Sequence, residues 1–390
     1  MVIKINIKQT LLSLIYTLLL FFTFRIVNIS LISESIYSRG SQISFLIISF
    51  LVAIKIKNKE IQWDRLIVYI LFGCGIMFLS TYLGRGSLRR TVSQIYPIIG
   101  LFLLLNFMKK DELKRSLRGY TYILFFFTII NAIFCLFSLN EAIFGENLYV
   151  LGVKNQVAVV LIFSNLLFEI LDKEQKNLYK IFKYINLILS TYIILDIRSG
   201  NNLLAWCIIC SFFILRNFKT IGKLPLTLIF VAYIIFFVLV VEFHIQELFA
   251  GLIVGILHKD LTFSLRTQIW DVVLAQIKNN PILGYGIQES GNLFQIIGIY
   301  NNGQFYNSIL SAHNTLLQTV YENGLLMLVP VILIVGYTDK KLKSIKNNIW
   351  KIQIICSFCG LLIVMFAEAI QIVVLLDLCL LIIALKKLEY

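Results

Sequence analysis

The sequence predicts an all-α, polytopic membrane protein of about twelve transmembrane helices, with one large extracytoplasmic loop. Three observations carry that reading. Of the 390 residues, 59% are hydrophobic and only 14% charged, against about 25% charged in a soluble domain. Apolar runs recur from one end of the chain to the other, leaving no room for a soluble domain of ordinary size. Between them lie short segments rich in lysine and arginine.

A span needs roughly 20 apolar residues. The candidates fall near 10–31, 42–56, 66–83, 91–108, 119–139, 155–171, 181–197, 202–217, 224–243, 315–337, 349–367 and 369–385. The first run has no small-residue cleavage site after it, so it reads as a retained span and not a removed signal peptide. Pro330 should kink the tenth span, because proline removes a helix hydrogen bond. Arg25 and Asp377 fall inside spans, where ionisable groups are expensive and face the protein interior.

A net charge of +14 suggests nucleic acid in a soluble protein. Here most basic residues cluster in alternate short loops, at 55–65, 109–118, 173–183, 216–223 and 340–351. Lysine and arginine on the cytoplasmic side account for them, so no nucleic acid is expected. Both termini are then cytoplasmic, in a plasma membrane. Cys207/Cys210 and Cys356/Cys359 each form a CxxC, but inside apolar runs without further ligands, so neither a metal nor a disulfide is expected.

The same topology places 244–314 outside, and a loop this long is usually functional or disordered. It holds an amphipathic helix near 265–278, with Ile269, Val273 and Ile277 at i+4 and Trp270 and Leu274 beside them. Asn279, Asn280 and Pro281 should end it, and its apolar face should lie in lipid or on the spans. The chain's three histidines, His244, His258 and His313, all fall in this loop. His313, directly before the tenth span, sits where a helix start would aim free amides at an anion. His244 and His258 have no comparable setting.

Outer arginines are not required by topology, so they are candidates for an anionic ligand. Arg266 opens the loop helix, and Arg198 lies just outside the seventh span. Arg85, Arg89 and Arg90 form a third cluster, which surface lipid could also satisfy. A guanidinium presents its donors in a rigid, permanently charged fork that suits a pyrophosphate. Pairing of Arg198 with Asp196, or of Arg266 with Asp271, is the plainer alternative. No HExxH, DxD, GxxxxGK[ST] or GxSxG occurs, and the GYG at 284–286 lacks the context of a dinucleotide site.

Three blocks resemble the O-antigen polymerase and O-antigen ligase superfamily. They are RTQIWDVVLAQIKNNPILGYG at 266–286, AHNTLLQTVYENGLL at 312–326, and, more weakly, DIRSGNNLLAW at 196–206. The first half of the chain matches in hydropathy and span count. Ile197 stands where the family usually has serine or threonine, and Met327 replaces a residue that is usually small or polar. The resemblance implies a GT-C-like membrane glycosyltransferase, inverting and metal-independent, without a cofactor. The donor would be an oligosaccharide on undecaprenyl pyrophosphate, handled beside a flippase and a chain-length regulator.

In that reading His313 is the base or acceptor-orienting group, and Arg266 and Arg198 hold the pyrophosphate. Asn314, Trp270, Arg85, Arg89 and Arg90 join the substrate site, with Glu289 and Glu322 as further bases. Polymerase is expected over ligase, because AT-biased residue usage is common among polymerases of polysaccharide clusters. A lipid-linked sugar flippase would share the span count without needing this loop, and a non-catalytic assembly partner would not need His313. The topology is tested at Gly303→Cys. An impermeant thiol reagent should label it from outside intact cells, and labelling only after permeabilisation would overturn the arrangement.

Overall fold

The computed structural model describes residues 7–24, 29–58, 64–171, 177–249, 251, 266–289, 299–301, 304–306 and 311–389. Arg25, His258 and Gly303 lie outside them. The described chain is nearly all helix. Up to the long loop run α1 (Ile7–Thr23), α2 (Glu34–Lys57), α3 (Leu66–Leu83), α4 (Leu88–Phe107), α5 (Lys110–Leu136), the short α6 (Leu139–Phe144), α7 (Val157–Leu171), α8 (Asn177–Ile197), α9 (Gly200–Leu215) and α10 (Leu226–Val241). Then come α11 (Arg266–Asn279), α12 (Thr315–Asn323), α13 (Leu328–Lys343), α14 (Asn348–Ala367) and α15 (Val373–Glu389). Two small antiparallel ribbons pair Leu148–Tyr149 with Gly152–Val153, and Ile299–Asn301 with Gln304–Tyr306.

Each expected apolar segment coincides with a helix, but not each is a full span. Among the described residues seven helices are long and apolar enough to cross a membrane, or eight if the bent pair α12–α13 is one span. Three others are apolar but shorter: Gln9–Thr23, Gly200–Leu215 and Leu226–Val241. α7, α14 and α15 are buried along most of their length, whereas α2 and α8 turn most of their surface outward. Asp377 of α15 is fully buried, though α15 is not among the helices long and apolar enough to cross.

The tenth span departs from expectation. It is broken, with α12 and α13 meeting at 115°, and the break is at Gly324 rather than Pro330. Pro330 is the third residue of α13, where first-turn amides have no intrahelical acceptor, so its missing N–H removes nothing. Gly324 has φ +70, a backbone open to glycine and strained for other residues. α12 therefore lies across the end of α13, at 115° to it.

A clasp of backbone bonds holds this corner. Leu325 N–H donates to the Pro281 carbonyl at 2.8 Å, Tyr285 N–H to Tyr321 at 2.9 Å, and Gly286 N–H to Glu322 at 2.7 Å. Ser87 N–H donates to the Ile287 carbonyl at 2.7 Å, and Ile287 N–H to Thr81 Oγ1 at 3.1 Å. So the asparagine-proline-glycine run after α11 locks the α3–α4 turn to the α12–α13 break. A Cβ on Gly324 would run into the Ile282 backbone. Gly324→Ala should therefore lose about 1–3 kcal/mol of stability from strain alone. Thermal unfolding in detergent measures it, and an unchanged midpoint would contradict the clasp.

Candidate functional site

The site is assembled around Glu368, which caps the C-terminus of α14. Its side chain is nearly buried, and its carboxylate takes one donor from each of two distant segments. Arg266 Nη2, at the start of α11, reaches Oε1 at 2.6 Å. Asn155 Nδ2, in the turn before α7, donates to the same oxygen at 2.9 Å. His313 Nδ1 faces Oε2 at 3.8 Å. That is ion-pair range but longer than a hydrogen bond, and Nδ1 is buried without a hydrogen-bond partner.

Local chemistry brings His313 there. Asn314 is the N-cap of α12, its Oδ1 accepting the Leu317 N–H at 3.0 Å. Its Nδ2 donates to the Phe366 carbonyl at 2.8 Å. Thr315 Oγ1 donates to the Glu368 carbonyl at 2.8 Å and accepts the Ile370 N–H at 3.1 Å. The start of α12 is thus stitched to the α14–α15 turn. The foremost amides of α12 are not simply free for an anion: the N-cap side chain already accepts one. Asn314 has both ends of its amide engaged inside the protein.

The third block arrives through Asn155. Ser199 Oγ donates to Asn155 Oδ1 at 3.1 Å, and Asn202 Nδ2 to the Lys154 carbonyl at 2.7 Å. Arg198 precedes Ser199, exposed and at φ 53, between the buried Ile197 and Ser199. Among the described residues no ion pair joins Arg198 to Asp196 or Arg266 to Asp271. Asp271 instead faces His244 Nε2 at 3.2 Å, within ion-pair range but without a hydrogen bond.

Arg266 also lines an apolar cavity of about 540 Å³. α9, α10 and α14 line it, with Leu204, Ala232, Phe236 and Leu362, while Arg266 and Trp270 close it from α11. The volume is in the usual range for ligand pockets. Trp270, fully buried, packs edge-on to Phe366 with centroids 5.8 Å apart and forms part of the cavity wall. The apolar stripe Ile269, Trp270, Val273 and Ile277 is buried against α10 and α12, so α11 rests on the spans.

The second arginine cluster is elsewhere. Arg85 and Arg89 are exposed, whereas Arg90 Nε lies 3.5 Å from Glu289 Oε2, and Glu289 Oε1 accepts Ser87 Oγ at 2.5 Å. Glu322, at the far end of α12, accepts Gln318 Nε2 at 2.7 Å. These groups border the clasp and do not touch Glu368.

Residues 185–332 match the family model for O-antigen ligase. The match supports an O-antigen ligase- or polymerase-like enzyme of the glycosyltransferase type, in keeping with a multi-pass inner-membrane protein. This O-antigen ligase-like segment includes Arg198, Arg266 and His313, and it stops short of Glu368. No curated protein and no solved structure matches the chain.

Sequence reasoning missed Glu368 and Asn155. The available signal for Glu368 was an acidic residue set between two apolar runs that a single turn joins, where a charge needs a partner. A double-mutant cycle tests the pairing. Glu368→Ala alone leaves the Arg266 charge half-buried and unpaired, at about 3 kcal/mol. Adding Arg266→Ala should recover part of that loss. Strictly additive thermal destabilisation would mean that the two groups do not interact.

Proposed function

We propose that the protein polymerises lipid-linked oligosaccharide repeat units on the outer face of the membrane, by inverting glycosyl transfer from undecaprenyl pyrophosphate. One observation carries this reading. Arg266 lines an apolar cavity and bonds the carboxylate that His313 faces. An amphiphile with a polyprenyl tail and a pyrophosphate head matches that pairing of surfaces, the tail in the cavity and the head at Arg266.

The acceptor hydroxyl oxygen attacks the anomeric carbon of the donor from the side opposite the pyrophosphate. The new C–O bond forms as the bond to the pyrophosphate oxygen breaks, and the lipid pyrophosphate leaves with the electron pair. Arg266 and Arg198 stabilise the charge that grows on it. The hydroxyl proton passes to His313 Nε2. Glu368 facing Nδ1 favours the tautomer that leaves Nε2 open and stabilises the imidazolium that follows. Closure of the 3.8 Å gap on substrate binding is in keeping with catalytic contacts that tighten only in the complex. Asn314 and Trp270 position the turn, while Arg85 and Arg89 offer exposed cations to the glycan.

The description of the matching family favours a second reading, ligation of finished glycan to lipid A core. The two share the donor and the bond made, and they differ in the acceptor. Deleting the protein separates them. Loss of a polymerase should leave glycan one repeat long, whereas loss of a ligase should strand long chains on the lipid pyrophosphate and would overturn the polymerase assignment. Complementation with His313→Ala should reproduce the deletion, with transfer at least about 100-fold slower at normal protein level. Near-normal transfer would remove His313 from the mechanism.

A further inference from the structure

The peptide that precedes His313 is held on both sides. Trp270 Nε1 donates to the Ala312 carbonyl at 3.1 Å, and the Ala312 N–H donates to Gln318 Oε1 at 2.9 Å. With its oxygen engaged, the Gln318 amide presents its NH₂ to Glu322 one turn further on, bonding Oε1 at 2.7 Å. The main chain of Glu322 is fixed in turn. Its carbonyl accepts Ser80 Oγ and Gly286 N–H, both at 2.7 Å. A chain of bonds therefore runs from the clasp, through Glu322 and Gln318, to the residue before His313.

That turn needs a support. His313 has φ 46, a conformation that disfavours a side chain by about 1–3 kcal/mol and persists only where neighbours over-determine it. The bonds of Asn314 and Thr315 fix the turn from its C-terminal side. On the N-terminal side, Trp270 and Gln318 hold Ala312.

We propose that Gln318 and Glu322 are positioning residues for His313, a brace that fixes the imidazole for proton transfer by anchoring the Ala312 peptide to the clasp. The proposal rests on the reading of His313 as the proton acceptor. Gln318 supplies the geometry, since its amide accepts from Ala312 and donates to Glu322 at once. Glu322 supplies the fixed acceptor that keeps this amide from turning over.

The test is a transfer assay on purified protein with a lipid-linked donor, run beside thermal unfolding. Gln318→Ala and Glu322→Ala should each lower kcat about 10- to 100-fold, the size expected for a small misplacement of a reacting group. KM for the donor should stay unchanged, because the cavity and Arg266 are untouched. Glu322→Gln keeps an acceptor oxygen for Gln318 and should restore most of kcat. Should Glu322→Ala not fold, Gln318→Met carries the same test, because it keeps the volume and drops both bonds. His313→Ala in the same assay separates the two ideas. If it transfers normally, the functional reading fails. If it is inactive while the Gln318 and Glu322 variants keep wild-type kcat, raise only KM, or Glu322→Gln is as impaired as Glu322→Ala, the brace is overturned and that reading stands.

Discussion

The carboxylate of Glu368 is the constraint on which the site depends. Three segments far apart in sequence, at 155, 266 and 313, converge on its two oxygens. A carboxylate this nearly buried is tolerable only when paired and hydrogen-bonded. Arg266 supplies the charge and Asn155 a further donor, so the same requirement that keeps Glu368 in place also aligns the arginine. A neutral residue there would relieve the desolvation and lose the organiser. That a group expensive to bury stands at the end of α14 is itself an argument that its charge is used.

The two ends of α12 have different tasks. At its start, Asn314 and Thr315 tie the helix to the α14–α15 turn and bring His313 to Glu368. At its end, Glu322 and Gly324 lock into the clasp with the run after α11 and the α3–α4 turn. A nine-residue helix spans about 13 Å, so both anchors act on one short rigid body. The broken span follows from this: a continuous helix through Gly324 would carry His313 away from Glu368.

Much of this was legible in sequence, and the failures have physical causes. Hydropathy located the apolar helices because membrane burial imposes a long, nearly uniform apolar run. The i+4 stripe of α11 is what packs. The break at Gly324 had a local signal in the polar Glu322 and Asn323 before it, but a proline nearby carried the stronger known signal. What decided the outcome was tertiary: a positive φ held by the Ile282 backbone. Glu368 and Asn155 were hidden for the same kind of reason, since their partners lie some 50 to 210 residues away. Asn314 and Trp270 were visible as polar or aromatic residues in the right blocks, and Arg90 as one of an outer arginine cluster, but sequence could not show that each is engaged by the protein itself.

The cavity and the charged mouth make unequal contributions to catalysis in the proposed reaction. An apolar tail in the cavity is bound alike in the ground state and the transition state, so its burial sets donor affinity and leaves the chemical step unchanged. Charge develops only at the mouth, on the departing pyrophosphate and on the imidazole that takes the proton. Interactions there strengthen as the bond breaks, and they are the ones able to raise kcat. Arg266 lies on the boundary between the two regions, lining the cavity and bonding Glu368. In the proposed reaction its guanidinium would fix the depth at which the lipid head stops, and so the height at which the anomeric carbon meets His313. Specificity for the sugar must then come from residues above that level, since nothing in the cavity or at Glu368 distinguishes one glycan from another.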